Sequence, residues 1–428
     1  MNKHILLFGA GKSATCLIQF LDKTVTSRDW QLVVAENNLE LAQSKLSGSP
    51  HVKAVQVSVE DREQRDSLIR QADIVISLLP PALHFLVATS CVACKKHLLT
   101  ASYLDDKLRA LEPAIRDNGL LFLCEMGLDP GIDHMSAMQL IHRIGEQGGR
   151  IHSFHSHTGG LVSPVSDDNP WHYKISWNPR NVVLAGSAGA QYLENGKTVT
   201  LSYEELFRKI NTVDIKGLAT LAWYPNRDSL SYIPVYGLDG IDTFIRTTLR
   251  YPDYIRAWKT IVEAHLTDDK NPLPKDKVTI DQWSSPIRPL AHDPIRPQLE
   301  YLGLFSEDPI PSSARTSADV LQYLLETRLA MHPGDRDMIV MLHEIAYTTA
   351  DSPGTTRTIA SSLVVHGEDH LRTAMAKTVG LPLGIAAVLI LEGKIALTGL
   401  HIPISPEIYT PVMEELALKD IRFIEEER

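Results

Sequence analysis

The chain has 428 residues, of which 44% are hydrophobic, and its 52 acidic side chains outnumber 42 basic ones to give a net charge of −10. A chain of this length exceeds a single hydrophobic core, so we predict two or three domains. The acidic balance argues against a nucleic-acid partner, because proteins that bind nucleic acids usually carry a basic stripe. An anionic substrate would need a locally positive pocket.

Targeting signals and disulfides are also not expected. The first residues, MNKHILLFGAGK, hold too short an apolar run for a secretory signal, and no apolar run reaches the ~18 residues that span a bilayer. Four cysteines in a chain of 428 residues do not suggest a disulfide framework. We therefore predict a cytoplasmic protein without a membrane partner.

The first motif is a glycine turn after a short apolar run. Ile5–Phe8 predicts a strand, and the letters GAGKSA that follow have the spacing G-x-G-x-x-A of the dinucleotide fingerprint. Gly9 permits the tight turn, Gly11 allows the backbone to approach a pyrophosphate, and Ala14 allows the helix to pack closely on the strand. The N–H groups at the start of the helix would hold the pyrophosphate.

Strand-like and helical patterns then alternate through the first 125 residues. The predicted strands are Ile5–Phe8, Gln31–Glu36, Val52–Val59, Asp73–Leu79, His97–Thr100 and Leu120–Cys124. The predicted helices between them include Lys12–Leu21, Leu39–Leu46, Asp61–Gln71 and Asp105–Asp117. This alternation is typical of an α/β Rossmann-type fold with a doubly wound parallel sheet.

Glu36 ends the second predicted strand, at the distance from the fingerprint where an acidic residue binds the adenosine ribose. A carboxylate there accepts hydrogen bonds from the ribose hydroxyls and repels a 2′-phosphate, which favours NAD and leaves NADP possible. A solvated helix cap is the simpler alternative. The predicted cofactor-binding residues are Gly9, Gly11, Lys12, Ser13, Ala14, Glu36, Leu79 and Pro80.

Two polar loops follow the fifth and sixth predicted strands. Ser102-Tyr103 comes after the fifth strand, and the segment Gly127–His134 comes after the sixth. Open α/β sheets bind ligands at the carboxyl ends of their strands, so both loops belong to the predicted site. Asp129 and Asp133 lie in the second loop. For a single acid, an Asx turn or a helix N-cap is the alternative interpretation.

Nine segments in order along the chain resemble saccharopine dehydrogenase of the glutamate-forming type. Several ordered motifs at compatible spacings are more specific than any one of them. They are TASY at Thr100–Tyr103, GLDPGIDH at Gly127–His134, GGL at Gly159–Leu161, DNPWHYKISW at Asp168–Trp177, YPNRDS at Tyr224–Ser229, RTTLRYP at Arg246–Pro252, LGLF at Leu302–Phe305, RDMIVMLHE at Arg336–Glu344 and MAKTVGLP at Met375–Pro382.

The resemblance implies a particular domain organisation. Residues 1–126 would form the dinucleotide-binding domain, rejoined by residues 375–428, and residues 127–374 an α/β domain for substrate binding and dimerisation. A helical insertion is expected at about residues 253–330, where helical patterns are interrupted by Pro272, Pro274, Pro286, Pro289, Pro294 and Pro297. A homodimer is likewise implied by the resemblance.

The resemblance also implies an activity in lysine metabolism. Such enzymes interconvert saccharopine, NAD(P) and water with L-glutamate, aminoadipate semialdehyde and NAD(P)H. The nicotinamide would supply the hydride chemistry, and the protein the carboxylate clamps and the proton transfer. Tyr103 and Asp129 are the candidate catalytic residues, since both loops lie at one sheet edge. The alternatives are a related reductive-amination enzyme, such as a carboxyspermidine-type dehydrogenase, and an NAD-binding sensor without turnover.

The substrate would be a small polycarboxylate, and arginine suits it because its fork binds carboxylates bidentately. Arg227 is preferred to Arg246, which would share a helix face with Arg250 if that segment were helical. The fungal enzymes carry a cysteine directly before the GG pair, whereas this chain has Thr158, so a thiol acid/base role does not transfer. The candidate substrate-binding residues are Ser102, Asp133, Thr158, Gly159, Gly160, Ser176, Arg227 and Arg246.

Two further patterns are interpreted as structural. His155 and His157 lie on one face of a predicted strand, as in some metal sites, but no third ligand is visible near them and we expect no metal. Cys91 and Cys94 form a lone C-x-x-C within a helical pattern, which favours structural cysteines.

Overall fold

A computed structural model describes residues 2–274 and 278–427 of the chain. The chain forms two compact units, the first from Met1–His142 and Leu371–Arg422 and the second from Arg143–His370 and Phe423–Arg428. The expected boundary after residue 126 differs from this division, because the loop after the sixth strand and most of the next helix belong to the first unit. The last six residues group with the second unit rather than with the first.

Strands and helices are numbered separately in chain order. The strands are β1 (His4–Phe8), β2 (Gln31–Glu36), β3 (Val52–Gln56), β4 (Ile74–Ser77), β5 (His97–Thr100), β6 (Leu121–Leu123), β7 (Arg150–Val162), β8 (Ala190–Glu194), β9 (Lys197–Leu201), β10 (Asn211–Val213), β11 (Leu221–Pro225), β12 (Arg227–Asp228), β13 (Thr243–Arg250), β14 (Asp337–Thr349), β15 (Ser352–His366), β16 (Gly399–His401) and β17 (Ile424–Glu427). The α-helices are α1 (Thr15–Arg28), α2 (Leu39–Gln43), α3 (Arg62–Gln71), α4 (Pro81–Cys94), α5 (Asp106–Arg109), α6 (Glu112–Asp117), α7 (Ile132–Glu146), α8 (Pro179–Val183), α9 (Tyr203–Leu206), α10 (Tyr232–Val235), α11 (Pro252–Glu263), α12 (Ile280–Trp283), α13 (Arg296–Leu302), α14 (Ser317–Arg328), α15 (Ala374–Leu391) and α16 (Pro406–Ala417). Three 3₁₀ helices are Lys12–Ala14, Pro164–Ser166 and Ser285–Leu290.

The first unit contains a seven-stranded sheet in the order β16-β6-β5-β4-β1-β2-β3. Every pairing in it is parallel. The strands β2 and β3 lie on one side of β1, and β4, β5 and β6 lie on the other, so the chain reverses its direction across the sheet at β1. This topology confirms the predicted doubly wound fold, whose ligand crevice lies at such a switch point.

The central strands are buried because they are almost wholly apolar. Leu7 of β1 and Val34 of β2 are completely buried, as a parallel sheet covered on both faces requires. The seventh strand, β16, comes from the C-terminal part of the chain and pairs with β6.

The helix α15 is the described segment whose length and composition would allow it to cross a membrane, with a mean hydropathy of 1.9 over 18 residues. Most of this window, 72%, is buried within the fold. Its Gly380 lies so close to α1 that a Cβ there would be 2.9 Å from the Cβ of Leu17. A small residue is therefore required at this contact, and the apolar composition of α15 reflects its place in the core of the first unit.

The second unit contains a ten-stranded mixed sheet with the main order β10-β11-β13-β7-β14-β15-β17. The long strand β7 pairs in parallel with β13 and antiparallel with β14. On β7 the side chains alternate between the two faces. His155, His157 and Gly159 lie on one face, and Ser156 and Thr158 lie on the other.

Helices from the proline-rich insertion cover an aromatic core in the second unit. Trp171 and Trp258 are buried and meet edge to face, with ring centroids 6.3 Å apart. Tyr254 stacks on Trp258 with an interplanar angle of 12°. The guanidinium of Arg250 lies over the ring of Tyr254, 5.4 Å from its centroid, so this arginine packs within the aromatic core.

One predicted helix is wrong. The predicted helix Asp105–Asp117 is divided into α5 and α6, since Pro113 cannot donate the bond that would continue it. The condition under which Arg246 and Arg250 would share a helix face is not met, because both residues lie in the strand β13, as its β-branched composition favours.

Candidate active site

The glycine turn after β1 forms one wall of a cavity of about 370 Å³ in the first unit. Gly9 has φ of +100°, and a Cβ there would lie 2.5 Å from the carbonyl oxygen of Leu78. Glycine is therefore required at this position. A Cβ at Gly11 would meet no atom within 4 Å, so its backbone faces open space that a pyrophosphate can approach.

The carboxylate of Glu36 lies at the same cavity and is held by backbone donors. One oxygen accepts a hydrogen bond of 2.8 Å from the N–H of Ala10, and the other accepts bonds from Asn37 and Asn38. Glu36 therefore fixes the glycine turn to the end of β2. A second carboxylate, Glu60, also lines the cavity.

The basic side chain of Lys45 contacts this turn. Its Nζ donates a hydrogen bond of 2.6 Å to the carbonyl oxygen of Gly11. Burial lowers the pKa of Lys45 to about 8, although the negative charge of Glu36 opposes the change.

The other predicted cofactor residues are distributed around the same turn. Leu79 and Pro80 line the cavity, as predicted, at the end of β4. Lys12 and Ser13 lie in the 3₁₀ helix that precedes α1, and buried Ala14 ends it. The residues present therefore fit a dinucleotide, with the phosphates at the helix start and the adenosine ribose near Glu36.

Tyr103 and Asp129 meet at the carboxyl ends of β5 and β6. The Tyr103 hydroxyl donates a hydrogen bond of 3.0 Å to a carboxylate oxygen of Asp129. The structure thus brings together the two loops that the sequence placed at one sheet edge. A phenol hydrogen-bonded to a carboxylate is suited to passing a proton, and the catalytic roles stay predictions.

A buried pair supports this edge, and one of its members, Glu125, was not predicted from the sequence. Glu125 has φ of +58° and is 2% exposed, and its carboxylate contacts Nε2 of fully buried His134 at 2.7 Å. The other carboxylate oxygen accepts a hydrogen bond from the N–H of Leu104, next to Tyr103. Glu125 therefore ties the Tyr103 loop to α7. The sequence signal that could have indicated Glu125 is its position, as an acidic residue between β6 and the predicted loop.

Asp133 has a local structural contact. Its carboxylate accepts a hydrogen bond of 2.6 Å from the N–H of Gly131 and lies 3.7 Å from Nδ1 of His134. The side chain is 1% exposed. Asp133 thus lies in the first turn of α7 and holds the preceding Gly131, which is not the N-cap contact given as an alternative, and its predicted substrate contact stays a prediction.

His84 was also missed, and it positions Ser102. Its Nε2 lies 2.7 Å from the Ser102 hydroxyl, and its Nδ1 lies 2.8 Å from the Ser77 hydroxyl. Burial lowers the pKa of His84 to about 4, although Asp105 opposes the change. The imidazole is therefore neutral at pH 7 and links the ends of β4 and β5. Nothing in the sequence around His84 indicated a role at the site, because it is a single histidine within a helical pattern.

In the second unit, two of the predicted substrate residues share one face of the sheet. Thr158 on β7 pairs with Thr248 on β13, two positions from Arg246, so Thr158 and Arg246 are diagonal neighbours. Arg246 is 2% exposed, and its guanidinium lies 4.5 Å from the centroid of the Tyr232 ring. The Thr158 hydroxyl is buried and has no hydrogen-bond partner within the described residues.

Arg227 lies in the neighbouring segment. It is exposed, has φ of +52° and belongs to β12. Asn226 beside it donates its N–H to the carbonyl of Arg246, and Arg246 donates its N–H to the Ser229 hydroxyl. The YPNRDS segment is thus fixed to β13, and Arg246 is the more buried of the two candidate clamps.

The remaining predicted residues of the second unit lie in the strands and loops around this face. Gly159 is required by packing, because a Cβ there would lie 2.6 Å from the Cβ of Leu249. Gly160 pairs with Ile339 of β14, and Ser176 is 5% exposed. Lys174, in the same segment as Ser176, contacts carboxylates of Asp168 and Asp335 at 2.8 Å each. Burial opposes its charge, but these hydrogen bonds raise the pKa of Lys174.

The structure brings a possible third ligand to His155 and His157, which the sequence did not show near them. Glu344 of β14 pairs with His155 across the strands, and ligand atoms of the three side chains all lie within 4.8 Å of one another. They occupy the face of the sheet opposite to Thr158. The C-x-x-C cysteines are free thiols, with Cys91 buried and Cys94 half-buried.

Two family models together match most of the chain. The saccharopine dehydrogenase NADP binding domain matches residues 5–123, and the saccharopine dehydrogenase C-terminal domain matches residues 127–421. The chain belongs to the saccharopine dehydrogenase family. This confirms the resemblance read from the motifs.

Individual relatives of the family extend the match to full length. Saccharopine dehydrogenase [NADP(+), L-glutamate-forming] of Saccharomyces cerevisiae is 34% identical over 444 residues, which cover 97% of each chain. The solved apo structure of the L-Glu-forming enzyme from that yeast covers 100% of both chains with a TM-score of 0.87. The mitochondrial alpha-aminoadipic semialdehyde synthase of Bos taurus is 34% identical, and the chain spans only 47% of its length.

The comparisons bear on the cofactor as well. The matched saccharopine dehydrogenase domain is described as NADP-binding, and the yeast relative is named for NADP(+). A dinucleotide-binding domain is thus shown. Both findings favour NADP and count against the preference for NAD that Glu36 predicted.

Proposed function

We propose that this protein is an NAD(P)-dependent oxidoreductase that interconverts saccharopine and water with L-glutamate and aminoadipate semialdehyde. The observation that carries this proposal is the match to the yeast L-glutamate-forming enzyme, at 34% identity over 97% of both chains. The Tyr103–Asp129 pair at the carboxyl edge of a dinucleotide-binding sheet supplies the proton-transfer groups that such a reaction needs.

The residues of this chain have separate tasks in the reaction. A dinucleotide held at the glycine turn would supply the hydride acceptor for oxidation of the carbon beside the secondary amine of saccharopine. The Tyr103 hydroxyl and the Asp129 carboxylate exchange the protons that accompany the addition of water and the release of glutamate. Arg246 and Arg227 offer guanidinium groups to substrate carboxylates.

An absorbance assay tests the proposed activity. Purified protein with saccharopine and NAD or NADP should produce a rise at 340 nm and yield glutamate, which chromatography of the products would detect. Lysine and carboxyspermidine in place of saccharopine should give no rise. If neither cofactor is reduced with saccharopine while NAD binds normally in calorimetry, the chain is a nucleotide-binding protein without this activity.

The preference between the two cofactors is a separate proposal. The relatives favour NADP, but Glu36 and Glu60 both line the cavity and none of its described lining residues is basic. A 2′-phosphate near Glu36 would face two carboxylates, and Lys45 is engaged with the Gly11 carbonyl. We therefore propose that this chain uses NAD better than NADP, in contrast to its named relatives.

Glu36→Gln is expected to lower the ratio of kcat/KM for NAD to that for NADP by roughly 10- to 100-fold. The amide keeps an acceptor for the turn but removes a negative charge, and one charge pair about 5 Å apart contributes roughly 3 kcal/mol at an effective dielectric constant of about 20. Steady-state kinetics with both cofactors measure the ratio. Glu40→Gln, on α2 and outside the cavity lining, is the control. A wild-type enzyme that prefers NADP would refute the proposed preference.

Oligomeric state is proposed from the family resemblance alone. We propose a homodimer, which light scattering coupled to gel filtration would detect as twice the chain mass of 47.6 kDa.

A further inference from the structure

The face of the second sheet that does not carry Thr158 holds a compact group of potential metal ligands. His155 and His157 are two positions apart on β7 and share this face. Glu344 lies directly opposite His155 on the antiparallel neighbour β14. Suitable atoms of all three side chains lie within 4.8 Å of one another.

The burial of His157 gives an independent indication of a ligand. Its side chain is 1% exposed, and among the residues that the structure describes its Nε2 has no hydrogen-bond partner, although it lies 3.5 Å from the Glu344 carboxylate. A buried polar atom without a partner is unfavourable by about 1–3 kcal/mol, so native structures rarely keep one. Zn²⁺ binds nitrogen and oxygen ligands at about 2.1 Å, which places two tetrahedral ligands about 3.4 Å apart.

The second nitrogen of His157 is already oriented. Its Nδ1 lies 2.7 Å from the hydroxyl of Thr247 on β13. When Nδ1–H donates to that oxygen, Nε2 presents its lone pair to the space beside Glu344, which is how outer hydrogen bonds orient metal-ligating histidines. The hydrogen bond to Thr247 thus prepares one nitrogen of His157 for a ligand beside Glu344.

We infer that His155, His157 and Glu344 form a binding site for a divalent transition-metal ion of the Zn²⁺ class. Two imidazoles and one carboxylate make up a ligand set that such ions use, with a further position left for water. The Glu344 side chain is 29% exposed, which gives the ion an approach from solvent. The bound ion would join β7 to β14, and the inference does not depend on the proposed dehydrogenase activity.

Zinc binding to the full chain tests the site. After removal of any affinity tag and treatment with a chelator, the protein is reloaded with ZnCl₂, passed through gel filtration and analysed by mass spectrometry of the elements. One bound zinc per chain is expected. His157→Ala and His155→Ala should lose this zinc, while His152→Ala should keep it, because His152 is on the same strand but outside the cluster.

Two milder variants keep the test informative if an alanine variant misfolds. Glu344→Gln retains the size of the side chain and should weaken zinc binding at least tenfold in calorimetry. Thr247→Val removes only the hydroxyl that orients His157, and this variant should bind zinc roughly tenfold more weakly than wild type. Reloading with Co²⁺ should give visible absorption bands in wild type that change in Thr247→Val and vanish in His157→Ala. Wild-type protein without stoichiometric zinc, or equal binding by His157→Ala, would overturn the inference.

Discussion

Replacing Tyr103 with Phe is expected to lower kcat for saccharopine oxidation by about 10²- to 10⁴-fold, the range that a positioned acid or base contributes. The change removes the hydroxyl that donates to Asp129 at 3.0 Å and leaves the ring in place. Because Tyr103 is outside the described lining of the cofactor cavity, the Kd for the dinucleotide should stay near its wild-type value. Stopped-flow turnover and calorimetric binding separate the two effects.

Asp129→Asn provides the partner experiment. If the two side chains act as one relay, the double variant should lose little more activity than either single variant. Tyr323→Phe is the control, because Tyr323 is a 45% exposed tyrosine on α14 in the insertion. Equal losses of turnover and cofactor affinity in Tyr103→Phe would instead assign Tyr103 a structural role.

Glu125→Ala is expected to destabilise the first unit by about 3–5 kcal/mol, as breaking a buried charged or strongly hydrogen-bonded pair usually does. The substitution takes away an acceptor from both His134 and the N–H of Leu104, in a position that is 2% exposed. The φ of +58° at Glu125 adds to the constraint on this short segment. Denaturant unfolding followed by near-ultraviolet circular dichroism measures the change.

A glutamate in an exposed pair supplies the comparison for Glu125. Glu300→Ala removes the partner of Arg296 on α13, where the Glu300 side chain is 52% exposed, and should change stability by less than about 1 kcal/mol. The loss of stability in Glu125→Gln should lie between those of Glu125→Ala and Glu300→Ala, because the amide oxygen can still accept one hydrogen bond. If Glu125→Ala melts like wild type, the pair with His134 does not hold the Tyr103 loop to α7.

The sheet of the first unit could be predicted because its information is local. The central parallel strands are short apolar runs, and the glycine fingerprint indicates which turn faces the cofactor. Gln31–Glu36 even agrees with the observed bounds of β2. The second unit was harder, because strands such as β8 and β10 are short, half-exposed and polar. Their pairing depends on partners far along the chain.

Some residues of the candidate site could likewise be predicted from local sequence patterns and others could not. The proximity of Tyr103 and Asp129 could be predicted because consecutive loops of a parallel sheet share an edge. The residues that support this pair could not be predicted in this way. Glu125 and His134 meet only because the chain turns sharply between them, and Glu344 reaches His155 through a strand register that spans almost 190 residues. Long-range register is invisible to spacing rules.

The discontinuity of the first unit has a consequence for biosynthesis. Helix α15, whose Gly380 packs against Leu17 of α1, is translated after all but the last strand of the second unit. During translation, more than 200 residues follow β6 before α15 emerges from the ribosome. The apolar surface of the first unit that α15 covers is therefore exposed during this interval. The first unit can therefore complete its folding only when most of the chain has been synthesised. We expect chaperones to bind the N-terminal third of the chain during this time.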